Sequence, residues 1–270
     1  AMSDFFKTLL KENNEKGAIE FLRTHPLTRN RIIETENLAS KYRGNFQHDS
    51  FGYQFVSARV SIKKLNTRKF IKDFVYNEDD IVNSPNKVVD HYAYGLALIK
   101  EKKYSKAINV FLNLKKFLRT KKQLYQIKNY IHIALADAYL NNNENKKALS
   151  ILEDLNNIYP ADNSVLYNLS KAYIKNKDYK KVIEKLIPYV IEHKDHRLVL
   201  KISEAAYKLD EKSLGHEYRG DYLKILGSFN TSVKYYKLAI KYNRKGKIIN
   251  ERISSKLKEI EKLQKSKEIL

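Results

Sequence analysis

From Val88 onward, apolar and small residues recur at helical spacing in successive blocks, each broken by a short polar turn. In the first pair of blocks, Tyr94-Gly95-Leu96-Ala97 is followed by Lys103-Tyr104, Ala107 and Phe111, so that Ala107 stands twelve positions after Gly95 and an aromatic ring four beyond it. The pattern predicts two antiparallel helices. They cross where Gly95 and Ala107 remove side-chain bulk, and Phe111 fills the gap between successive hairpins. A second copy reads Leu135-Ala136, Tyr139, Ala148, Leu152, Leu155 and Pro160; a third reads Leu169-Ser170, Tyr173, Val182, Leu186 and Tyr189. Ala148 and Val182 are one period of about 34 residues apart. A fourth pair starts near Arg197, with Leu200 and Tyr207 in the expected places. Its second helix doubles as the first helix of a fifth copy, because Gly220 to Ser232 repeats the twelve-residue step of Gly95 to Ala107.

A repeat of this length and pattern resembles the tetratricopeptide repeat. The predicted fold is all-α: a tetratricopeptide helix-hairpin solenoid over residues 81–246, an N-terminal helical extension over 1–80 that does not follow the repeat, and a C-terminal capping helix over 247–270. In the last of these, Ile249, Ile253, Leu257, Ile260 and Leu263 recur at helical spacing with Lys and Glu between them. A one-faced helix of this kind is what a solenoid needs to cover its final apolar surface. In the extension, Thr28 opens a helix through Ile32, Ile33 and Leu38, and another helix runs from about Ser50 to Leu65.

Composition supports helices and narrows the chemistry. Only 8 Gly and 4 Pro are present, so long stretches lack strand and turn punctuation. With no Cys, disulfides and thiolate metal sites are excluded. No run of about 18 apolar residues is present, so no membrane span is expected. The formal charge of +21 would suit a polyanionic partner. Lys, however, outnumbers Arg several-fold and is scattered among Asn and Glu, whereas phosphate and base recognition leans on Arg forks. The charge therefore reads as a solvated coat, and nucleic acid is not the expected partner.

Three elements stand in a suggestive order. The first is Thr24-His25-Pro26-Leu27, with Arg31 beyond it. Next comes Tyr53-Gln54-Phe55-Val56-Ser57-Ala58-Arg59, and after it the repeat array with Glu217-Tyr218-Arg219-Gly220 late in it. Together they resemble, over nearly the whole chain, the BepA-type (β-barrel assembly-enhancing) periplasmic zinc metallopeptidases. The resemblance implies a periplasmic location and zinc in the full-length parent. It implies as partners the β-barrel assembly machinery or unfolded outer-membrane proteins. By the same resemblance, His25 is the residue expected near the parent's active site. That family's zinc site needs a His-Glu-x-x-His helix, which sets two imidazoles on one face with the Glu as base. None of the 7 His here has that surrounding sequence, so the chain is expected to be a C-terminal fragment without catalytic residues, metal or cofactor of its own. The nearest approach to a ligand pair, His193-Lys194-Asp195-His196, lacks a third ligand.

By the register above, the exposed positions of the first helices include Tyr92, Leu96, Ile99, Tyr130, Ile133, Asp137, Tyr167, Lys171 and Lys175. These would line the concave face of the solenoid. Several are aromatic or apolar where a merely solvated face would be polar, so an extended peptide or a partner's helix could lie across them. The competing reading is that the next repeat, or the amino-terminal helices, cover some of them. As a whole, the chain reads as a protein–protein interaction module. The alternative is a free-standing cytoplasmic adaptor using its basic surface on RNA, which steep salt dependence would reveal.

Overall fold

The computed structural model describes residues 7, 29–41, 50–77, 85–120 and 127–268. Among the described residues all regular structure is helical. The chain forms two compact units, residues 1–49 and 50–270. In the first unit, α1 (Arg29–Lys41) is the helix expected after Thr28; its Ile32 is buried, while Ile33 and Leu38 remain exposed.

The second unit runs through α2 (Phe51–Lys64), α3 (Thr67–Asp73), α4 (Pro85–Lys100), α5 (Tyr104–Thr120), α6 (Lys128–Asn141), α7 (Asn145–Ile158) and α8 (Asn163–Lys175). It continues through α9 (Tyr179–Glu192), α10 (His196–Lys208), α11 (Lys212–Ile225), α12 (Phe229–Lys241) and α13 (Lys247–Glu268). Among the described residues, the closest helix contacts join chain neighbours and next-but-one neighbours, such as α4 with α6, α6 with α8 and α8 with α10. In the middle of this series α6 has neighbours on every side, and Ile131 through Ala136 and Ala138 through Leu140 are all buried. A helix that is apolar all round is the kind that can occupy such a place.

Five connecting turns are built alike. Lys103, Glu144, Asp178, Glu211 and Ser228 donate their backbone N–H to the carbonyls of Leu98, Tyr139, Tyr173, Ala206 and Leu223. The residue before each donor (Lys102, Asn143, Lys177, Asp210 and Gly227) has φ between 57° and 76°. These are the bonds of the left-handed helix end. Four of the five left-handed positions carry a side chain, which costs about 1–2 kcal/mol apiece, so packing of the flanking helices must hold the turns closed.

At three of the helix junctions the helices meet at a glycine. A Cβ on Gly95 would lie 2.5 Å from Cζ of Phe111, one on Gly215 2.8 Å from the ring of Tyr207, and one on Gly220 2.5 Å from Cε1 of Tyr236. Gly215 and Gly220 both belong to α11 but face α10 and α12 respectively. This is how one helix serves as partner to two. The joint is built the same way on each side, since the Ser203 hydroxyl donates to the Gly215 carbonyl at 2.8 Å and the Ser232 hydroxyl to the Gly220 carbonyl at 2.7 Å.

The second compact unit begins at Ser50. Ser50 caps α2 by accepting from the Tyr53 N–H. The ammonium of Lys100, at the end of α4, donates to the carbonyls of Ile62, Lys63 and Leu65 at 2.9, 3.1 and 3.2 Å, closing the carboxyl end of α2. Thr67 and Arg68 in turn bind the Glu101 carboxylate at 2.6 and 3.1 Å. Helices α2 and α3 thus both pack on α4.

Candidate polypeptide-binding surface

Polar side-chain links along the series recur at one sequence spacing. Arg59 with Tyr92, Arg68 with Glu101, Lys171 with Asp137, Lys175 with the Leu140 carbonyl, and Lys224 with Glu259 all join residues 33 to 35 positions apart. Lys245 with Glu211, Arg252 with Glu217, and Gln264 with Asn230 keep the same spacing. These links tie α2 to α4, α6 to α8 and α11 to α13.

On α6, α8 and α10 this brings several of the expected surface residues together. Lys171 donates to Asp137 at 2.8 Å, and Lys175 reaches the Leu140 carbonyl. The half-buried Tyr167 ring lies beneath the Arg197 guanidinium at 5.6 Å and the Lys201 ammonium at 5.8 Å. Leu96, Ile99 and Tyr130 are half-buried, each with one side against the core. The surface is a row of rings and short apolar side chains edged by charges of both signs. Arg197 and Lys201 were not among the residues picked from the sequence. Lys201 stands one repeat period after Tyr167, and that offset is the signal that finds it.

Two of the expected positions are not available to a partner. Tyr92 is fully buried: Phe55 of α2 covers its ring at 4.6 Å, and its hydroxyl accepts from Arg59 Nε and Nη2 at 3.1 and 3.0 Å. Burial raises the Tyr92 phenol despite the nearby guanidinium. Ile133 is 6% exposed because α6 is enclosed by its neighbours. Phe55 also approaches Tyr130, at 5.5 Å between ring centres. Helix α2 therefore occupies the α4 end of the face and reaches Tyr130 at the start of α6.

His25 lies outside the described residues. Among the described residues no group of three His, Asp or Glu side chains is placed to hold a metal ion. His193 packs on Tyr189 at 4.5 Å and His196 on Tyr222 at 6.2 Å. No helix among the described residues is long and apolar enough to cross a membrane. No family model matches the chain, and no curated protein matches it in sequence.

On α11, His216 sits in a cage of tyrosines. The Tyr207 hydroxyl is 2.8 Å from its Nδ1, and its ring stacks on Tyr242 at 5.3 Å. Burial holds this imidazole below its ordinary value. The folded state therefore binds the proton less readily than the unfolded chain does. The associated stability is complete above the ordinary imidazole value of 6.5 and is lost as pH falls through the depressed folded value. Between about pH 7.5 and about pH 5, the melting temperature is expected to fall more in the parent chain than in His216→Gln. Parallel curves for the two would mean that His216 does not contribute.

Proposed function

We propose that residues 50–268 form a tetratricopeptide-type solenoid that binds an extended polypeptide across α6, α8 and α10. The observation that carries this reading is the ladder of links one repeat apart. Repetition of that kind extends a single binding register along the array, as stacked repeats do. The half-exposed Tyr130 and Tyr167 offer ring area at low entropic cost, and Asp137, Lys171 and Lys201 offer polar contacts beside them.

In the same reading the chain is the recruiting part of a BepA-type periplasmic zinc metallopeptidase, with unfolded outer-membrane proteins or the β-barrel assembly machinery as partner. The support for that narrower setting is the Thr24–Leu27 element, the Tyr53–Arg59 helix and Glu217–Gly220. Two of its residues have structural work to do here: Arg59 holds the Tyr92 hydroxyl, and Glu217 gathers Arg252 and Lys256. Catalysis and zinc belong, in this proposal, to the parent, with His25 the residue nearest to them.

The test is the affinity of the chain for a labelled, unfolded outer-membrane β-barrel polypeptide, read by fluorescence anisotropy. Tyr167→Ala combined with Lys171→Glu is expected to weaken binding about tenfold or more, equivalent to at least about 1.4 kcal/mol. Tyr92→Phe, changed inside the core, should bind like the parent. Equal affinity of the double variant and the parent would remove this face from the proposal.

A further inference from the structure

Between Ser228 and Asn250 the chain has no Asp or Glu, and its charges are Lys234, Lys237, Lys241, Arg244, Lys245 and Lys247. All six side chains are exposed. The first three recur at helical spacing on α12, opposite the buried Ser232, Tyr236 and Ala239. Their stripe runs out into the connector between α12 and α13, which supplies Arg244 and Lys245 and leads into Lys247. Lys245 lies 2.7 Å from Glu211 and Lys247 3.6 Å from Glu251, but exposed pairs of this kind are weak and leave the cations open to another anion.

Beside Lys247, in the first turn of α13, stands an aliphatic side chain with no role in the core. Ile248 is 82% exposed, while Ile253 and Ile260 farther along α13 are fully buried. Tyr242, at the other end of the connector, is 40% exposed. Ile248 lies next to Lys247 and close in sequence to Arg244 and Lys245. The combination of clustered cations, one protruding aliphatic group and a tyrosine at the margin is what an anionic lipid surface selects. The headgroups attract the cations within a Debye length, the aliphatic group enters the acyl boundary, and the phenol sits at the headgroup level.

We infer that the α12–α13 connector, with the last turns of α12, docks on an anionic phospholipid surface, with Ile248 as the inserting side chain. Nucleic acid fits the same place less well. A base would need an open ring to stack on, but Tyr242 is stacked on His216 and has the Lys212 and Lys241 ammoniums at 5.8 and 6.0 Å from its centre. A phosphate backbone would leave Ile248 unused. The inference goes beyond the polypeptide-binding face, which lies on other helices.

The experiment takes the full chain with phosphatidylglycerol–phosphatidylcholine vesicles, with phosphatidylcholine vesicles, and with single-stranded RNA. Vesicle binding is read by co-sedimentation and RNA binding by anisotropy. Expected is binding to the anionic vesicles and none to phosphatidylcholine alone. Ile248→Ser, which keeps every charge and disturbs no buried contact, should weaken vesicle binding roughly tenfold at an unchanged melting temperature. Arg244→Gln with Lys247→Gln should weaken it roughly thirtyfold. Failure to sediment with anionic vesicles would overturn the inference. So would an Ile248→Ser variant that binds like the parent, or RNA bound more tightly than the vesicles.

Discussion

Gly95→Leu is expected to destabilise the chain by about 3 kcal/mol. A Cβ at this position already falls 2.5 Å from Cζ and 2.7 Å from Cε1 of Phe111, and leucine adds three further carbons along the same line. Phe111 is fully buried and cannot swing into solvent. Its ring meets Tyr92 edge-on at 6.1 Å, and Tyr92 is held from above by Phe55 and Arg59. Relief of the clash therefore has to pass from α4 and α5 into α2. Leucine would gain somewhat less than 1 kcal/mol in helix propensity over glycine, which offsets only part of the cost. Denaturant unfolding measures the difference. An unchanged midpoint would mean that α4 and α5 do not cross at Gly95, and the register of the whole series would have to be drawn again.

That register was legible because it rests on sterics between residues close in sequence. The twelve-residue step from Gly95 to Ala107, and from Gly220 to Ser232, is fixed by two helices and one turn, and so is the double use of α11. Residues 50–77 gave no such sign. Their attachment to α4 runs through Lys100, Glu101 and Arg59, long side chains whose partners lie more than thirty positions away. No local periodicity records such contacts. The turns were hard to place for another reason. Lys102, Asn143, Lys177 and Asp210 take the left-handed position where glycine would have announced a helix end.

The candidate surface was legible in part. The helical register set Tyr92 and Ile133 in the same row as Tyr130 and Tyr167, and only the neighbours decide which of them stay open. Tyr92 is lost to Phe55 of α2, a partner more than thirty positions away in the sequence. Arg197 and Lys201 join the face through the Tyr167 ring of α8, a contact that the pattern of α10 alone does not record. Lys171 beside Asp137 and Lys201 beside Tyr167 both obey a 34-residue offset.

The largest loss of stability is expected when Arg252 and Lys256 are both replaced by Met. The Glu217 carboxylate on α11 is 2% exposed and is held by Arg252 Nε and Nη2 at 3.0 and 2.6 Å and by Lys256 Nζ at 2.9 Å. Lys256 also binds Asp221 at 2.7 Å, and Asp221 accepts from the buried Tyr236 hydroxyl at 2.6 Å. Methionine keeps the aliphatic bulk of both side chains and removes only the charges. Glu217 would then be a buried carboxylate without a counter-charge, a situation that costs about 3–5 kcal/mol. Either single replacement leaves one cation in place and should cost less. The loss should be greatest where α13 packs on Tyr236 and Ala239 through Ile253 and Ile260, so amide exchange should accelerate in α13 before it does in α6. Adding Glu217→Gln to the double variant removes the stranded charge and should restore much of the stability. A triple variant no more stable than the double would show that packing, and not the buried charge, holds the last helix in place.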